Sequence, residues 1–249
     1  VEAWIEDVDM RIGIFCPVES LCRVSTMFVE LKQGMLQLID WFGLPLGMQK
    51  PTLCNVWRPR GGWGYRRGHT SFMSHKWVVE QFHGEFHEMA HSWWGVADVT
   101  AQDWINEGGA EFSSFLLCSR LYGKDCADAL LASYWEHIEE AGTGFSIAET
   151  PPSSPDRYVN HYEKTTLMYL EACRRFGESE VIGLLRALYE RHCASRDATT
   201  EGFLALCREK LSPEAERFFR QCLYAKNWRD APVAPNAQTG CRASASATN

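Results

Sequence analysis

A chain of 249 residues with 45% hydrophobic content can bury one substantial core, and it reads as one globular domain of two lobes rather than several independent units. The net charge of −7 argues against a nucleic-acid binder, which would present a basic face. No apolar run reaches bilayer-spanning length, and the first six residues lack the basic start and apolar middle of a secretion signal, so a cytoplasmic location is expected, with secretion left open.

The segment from Arg11 to Val18 alternates and breaks at Pro17, which predicts a strand entering the domain. From Val24 to Phe42, apolar residues recur at three- and four-residue intervals (Met27, Phe28, Leu31, Met35, Leu38), and Gly43 with Pro45 supplies the stop for a helix. Thr52 to Trp57 reads as the next strand, Arg58 to Gly68 as a glycine-rich turn, and His69 to Ser74 as a returning strand, with antiparallel pairing the expected result. Ser74 is placed to cap a helix from about Lys76 to Trp94, and Thr100 to cap another that ends at Tyr122 before Gly123.

Helical patterns continue over Asp125 to Glu140, Asp156 to Phe176, Ser179 to Cys193, Thr200 to Lys210 and Glu214 to Asn227, where Ser212-Pro213 opens the last. The folded unit is expected over residues 1–229, and the Ala/Pro/Ser/Thr-rich tail, 230–249, has no periodic apolar face and is expected to be disordered. Ten cysteines include no Cys-x-x-Cys pair. Cys118, Cys173, Cys207 and Cys222 read as small buried hydrophobes, and the cysteines are expected to be reduced thiols in a cytosolic setting, with some disulfides outside the cell as the alternative.

Chemistry concentrates in His87-Glu88-Met89-Ala90-His91. On a helix, residues four apart share a face, so His87 and His91 can offer two ring nitrogens to one metal ion while Glu88 edges the same pocket. Glu107, on the next helix, would supply a carboxylate and complete a two-histidine, one-glutamate zinc site with its fourth position open, one zinc per chain. A structural zinc is the weaker reading, because such sites are usually closed by cysteines. His83 lies one turn before His87 and reads as a core or cleft-rim histidine.

Together with Trp104-Ile105-Asn106-Glu107-Gly108, this arrangement resembles the gluzincin metallopeptidases of the aminopeptidase N type, over about residues 10–228. The connection from Ser92 to Asp103 is shorter than the family's usual one. The resemblance implies an α+β, thermolysin-like fold: a small, mostly antiparallel sheet lobe, then a helical lobe, with the zinc site between them. It implies Glu88 as the general base that activates water, and, through Tyr162-Glu163-Lys164, Tyr162 as the donor to the oxyanion. Thr165 stands where the family usually has glycine, and Tyr158 and Tyr169 are the alternatives to Tyr162. Glu111, one turn after Glu107, is similarly placed to accept the free ring N–H of a zinc-binding histidine.

The family's Gly-x-Met-Glu-Asn segment, which pairs a substrate's free amine, has no counterpart: Gly61 to Phe72 contains no acid and carries Arg66 and Arg67 instead. These arginines favour an acidic or carboxylate-bearing peptide or protein substrate, bound extended along the edge strand by main-chain pairing. The leading reading is zinc-dependent hydrolysis of peptide bonds. The alternative is a catalytically inactive gluzincin scaffold that binds peptide or protein.

Overall fold

In the computed structural model, described for residues 2–6, 10–16, 18, 21–48, 52–58, 64–68, 70–74, 83–141 and 144–233, strands come first and helices follow. The strands are β1 (Glu2–Glu6), β2 (Arg11–Phe15), β3 (Thr52–Arg58), β4 (Tyr65–Arg67) and β5 (Thr70–Ser74), in one sheet of order β1-β2-β3-β5-β4. Helix α1 (Leu21–Phe42) crosses over between β2 and β3, which therefore run parallel, as a helical crossover requires. It buries Val24, Met27, Phe28, Leu31, Met35, Leu38 and Phe42, and ends where Gly43 turns left-handed at φ 77°.

The sheet corrects two expectations. The glycine-rich segment contains a strand, β4, which makes the antiparallel hairpin with β5 through Gly68. Because β4 takes that role, β5 returns parallel to β3, not antiparallel. Parallel and antiparallel pairings are thus mixed, and β4 lies at the edge. Residues 59–63 and 75–82 lie outside the described residues, as does His69, so the expected start, near Lys76, of the helix that carries His87 and His91 falls there too.

Helix α2 (His83–Ala90) leads into α3 (Asp103–Tyr122), which is buried along most of its length and organises the helical lobe. Around it lie α4 (Lys124–Ala141), a π-helical turn (Val159–Lys164) that continues into α5 (Thr165–Phe176), α6 (Glu178–His192), α7 (Thr200–Lys210) and α8 (Pro213–Tyr224). Thr100 does not cap α3. Its hydroxyl and amide both donate to Asp98 Oδ1, and α3 begins after Gln102, whose side-chain oxygen accepts from Thr200. Ser212 does cap α8, accepting from the Ala215 amide at 3.1 Å with Pro213 at the first helical position.

Just past Asp230, Ala231 is buried and the Pro232 carbonyl accepts from Arg175 at 2.7 Å, while residues 234–249, most of the tail expected to be disordered, lie outside the described residues. Cys118, Cys173, Cys207 and Cys222 are buried. No described helix is long and apolar enough to cross a membrane.

An aromatic cluster closes the helical lobe. Phe219 is fully buried and meets Phe203 edge-on at 5.2 Å, with Tyr169 at 6.1 Å. Phe219→Ala should cost about 3–5 kcal/mol, since neighbouring rings cannot collapse into the space, and urea denaturation would measure it. A loss under about 1 kcal/mol would mean the cluster is not the lobe's anchor.

Candidate metal centre and cleft

Helices α2 and α3 pack face to face, which requires small residues where they approach. Gly109 is one: an added Cβ would lie 2.9 Å from Trp94 Cε2, inside the indole that follows the first helix. The same indole donates to Ser113 Oγ at 2.9 Å. Asn106 clamps the short connection from both sides, accepting from the Ala97 amide at 3.1 Å and donating to the Ala97 carbonyl at 3.0 Å. The clamp sets the next residue, Glu107, against the histidines.

Three ligand-type atoms meet there. His87 Nε2 and His91 Nε2 are 3.2 Å apart, and Glu107 Oε2 is 3.3 Å from each. Ligands about 2.0–2.1 Å from a tetrahedral zinc stand about 3.3 Å from one another, so this triangle fits one face of that geometry. The outer nitrogens are engaged: His87 Nδ1 lies 2.7 Å from Glu111 Oε2, and His91 Nδ1 lies 2.8 Å from the Trp94 carbonyl. A carboxylate and a carbonyl can only accept, so both Nδ1 atoms carry hydrogen in the neutral rings and both Nε2 lone pairs face Glu107. Glu107 Oε2 is buried with no hydrogen-bond partner among the described residues. Three converging acceptors are unfavourable without a cation between them, so the donor set suits a zinc ion.

The electrostatics follow from burial and charge. With no cation among the ligands, burial disfavours a charged His87, but the adjoining carboxylates of Glu107 and Glu111 outweigh it and lift the ring's pKa to about 10, so a proton takes the place that a metal would hold against the neutral ring. Burial likewise opposes ionised Glu111, yet His83 and His87 draw it down to about 2, helped by the Tyr134 hydroxyl donating at 2.6 Å. Burial raises the Glu88 carboxyl against the pull of His87 and His91. Glu111→Ala should weaken zinc binding by about 10- to 100-fold, because His87 loses the partner that fixes its ring, and competition with a chelator would read this. Unchanged affinity would remove Glu111 from that role.

Tyr162 comes from the π-helical turn, a device found at functional sites because the extra residue re-aims side chains. Its ring stacks on His87 at 5.2 Å and 9°, and burial followed by the Glu107 charge keeps its hydroxyl neutral. Thr165 packs beside Gly108, where an added Cβ would come within 2.9 Å of the His161 carbonyl. Arg157 escaped the sequence reading. It donates to Asp103 Oδ2 at 2.6 Å, to the outer Glu107 oxygen at 2.9 Å and to the Tyr162 hydroxyl at 3.3 Å. Its only sequence signal was a base five residues before Tyr162, near the start of the helical pattern from Asp156 to Phe176, where no spacing argument singled it out.

Two arms of a cleft share His87, Glu88, Glu107 and Tyr162. One, about 490 Å³, is edged by Leu46, Tyr65 and Arg196; the other, about 550 Å³, by Met73, His83, Arg157 and Tyr158. Gly64 runs tight against the base candidate, where an added Cβ would lie 2.7 Å from Glu88 Oε1. The two arginines of β4 part company. Arg66 lines the first arm but donates to the carbonyls of Gly68 and Glu88, at 2.8 and 3.2 Å. Arg67 is exposed, lies over the Tyr65 ring at 5.8 Å, and is not among the residues lining either arm.

No protein-family model and no curated protein matches the chain. Solved structures do. An M1 zinc metallopeptidase from Deinococcus radiodurans, bound to a Tyr-Ser-Ala substrate, superposes with a TM-score of 0.72 at 17% identity, over 91% of this chain and 52% of that one. Native LTA4 hydrolase of yeast gives a TM-score of 0.66 at 13% identity, over 88% of this chain and 37% of that one. The chain therefore spans about half the length of the Deinococcus enzyme and less of the yeast one. The fold of the M1 zinc metallopeptidases is what this chain shares with them.

Proposed function

We propose that this chain is a zinc-dependent hydrolase of peptide bonds. The observation that carries the reading is the triangle of His87 Nε2, His91 Nε2 and Glu107 Oε2, all 3.2–3.3 Å apart, with Glu88 and Tyr162 lining the same cleft. Bound there, zinc would bring the pKa of a water to about 7 and polarise a substrate carbonyl.

The chain's own residues do the rest. Glu88, lifted by burial, takes a proton from water and passes it to the leaving amine. Tyr162 keeps its proton and donates a hydrogen bond to the developing oxyanion. Arg157 holds the outer oxygen of Glu107 and so directs the inner one toward the histidines. Glu111 fixes the His87 ring. Arg66 holds β4 against the end of α2 through the Glu88 carbonyl, and β4, at the sheet edge, offers its main chain to an extended peptide.

The test is zinc stoichiometry together with cleavage of a mixed peptide library by the native chain and Glu88→Gln. One zinc in both, and cleavage only by the native chain, is the expected result. If zinc binds and neither cleaves, the inactive peptide-binding scaffold becomes the better reading.

A further inference from the structure

Arg196 sits in the first arm of the cleft, on the connection after α6. Its φ is 56°, which makes it the one non-glycine residue with positive φ among the described residues. Left-handed backbone at a side chain of this size costs energy and persists where the surroundings over-determine it. The surroundings here do so. The Arg196 amide donates to the His192 carbonyl at 2.8 Å, and the Asp197 carboxylate takes the His192 ring at 2.6 Å. Ala198 then pairs with the metal-site loop, its amide 3.0 Å from the Val96 carbonyl, the same loop that Asn106 clamps at Ala97. The backbone beneath Arg196 is thus tied to the connection between His91 and Glu107.

The guanidinium is uncommitted. Among the described residues it makes no hydrogen bond or ion pair, and its acidic neighbour Asp197 is occupied by His192 and Ser195. The other arginines nearby are spent: Arg66 on two carbonyls, Arg157 on Asp103, Glu107 and Tyr162, and Arg67 outside the cleft lining. Among the described residues, the acids lining this arm are Glu88 and Glu107, both at the candidate metal centre, which leaves no other described carboxylate to pair a substrate ammonium.

We infer that Arg196 is a specificity-determining residue that reads a carboxylate on the part of the substrate lying in the Leu46–Arg196 arm. The inference rests on the peptidase reading for its substrate class and extends it: the ligand is a peptide bearing a carboxylate, from its carboxy terminus or from an Asp or Glu side chain. A guanidinium suits this, because it can offer two parallel N–H donors to the two carboxylate oxygens.

The experiment uses the full chain loaded with zinc and one neutral peptide sequence in three forms: free carboxy terminus, carboxy-terminal amide, and amide with a Glu near that end. Binding is measured by fluorescence anisotropy on Glu88→Gln, and kcat and KM on the chain with native Glu88, each with Arg196, Arg196→Ala or Arg196→Lys. Expected is a preference for a carboxylate-bearing form over the neutral amide that falls by about 10- to 100-fold in Arg196→Ala, mostly in Kd and KM, and is partly kept in Arg196→Lys. Whichever of the two carboxylate forms carries the preference identifies its source. Equal weakening of all three peptides, no carboxylate preference with native Arg196, or no binding of any peptide would overturn the inference. If the native chain cleaves nothing while Arg196-dependent carboxylate binding persists, the hydrolase reading fails and the subsite stands; with cleavage but no Arg196 dependence, the subsite fails and the hydrolase stands.

Discussion

Glu88→Gln should lower kcat by about 10²–10⁴-fold while one zinc per chain still binds. The amide fills the same volume and can accept a hydrogen bond, but it cannot hold the proton that the proposed reaction moves from water to the amine. Burial would suit this carboxylate to that task. It raises the Glu88 carboxyl from its ordinary range, so that accepting and returning a proton come closer in energy. The side chain is 7% exposed and shares both arms of the cleft with His87, Glu107 and Tyr162, so a scissile bond near the zinc triangle would also be near Glu88. Steady-state kinetics on a cleaved peptide, paired with metal analysis, measures the effect. A loss under threefold would mean that another group takes the proton, and loss of zinc would mean that Glu88 supports the ligand set instead.

Removing zinc should abolish cleavage and lower apparent stability, by about 4 kcal/mol relative to free zinc held at 1,000 times Kd. The reason is local. His87 and His91 turn two lone pairs toward a carboxylate oxygen that has no other partner among the described residues, so the two-helix packing holds an arrangement that a cation favours. Thermal denaturation over a series of buffered zinc concentrations should give a Tm that rises with the logarithm of free zinc. His91→Ala should flatten that dependence by removing one ligand. A Tm indifferent to zinc in the native chain would sink the metal site, whatever its geometry.

Much of this site was legible before folding. The four-residue spacing of His87 and His91 needs only helical periodicity to place both rings on one face, and Gly123 and Ser212-Pro213 marked helix ends through local chemistry that hardly depends on the rest of the chain. Glu111 was readable for the same reason, one turn beyond Glu107. The direction of β5 was not, because a strand's partner depends on which segment pairs first: the segment taken for a turn supplied β4 and displaced the expected pairing. Nor was the burial of Ala231 just past Asp230, since no local pattern joins it to the Pro232 carbonyl's bond with Arg175, more than fifty residues earlier.

By itself, then, the sequence determined most of the helical segments, the candidate ligand types and their periodic placement, because each follows from interactions within a turn or two of chain, while the helix expected to reach Trp94 ends at Ala90. Tertiary structure decided the strand pairings, the 3.2–3.3 Å triangle across α2 and α3, and the fates of four arginines. Arg157, fifty residues from Glu107, finds it only by packing. Arg66 turns into the fold, Arg67 stays outside the cleft lining, and Arg196 reaches the cleft on a connection whose left-handed turn no local pattern announced. A long, flexible side chain carries its charge wherever the folded surface leads it, so sequence names the charge and only the fold gives its address.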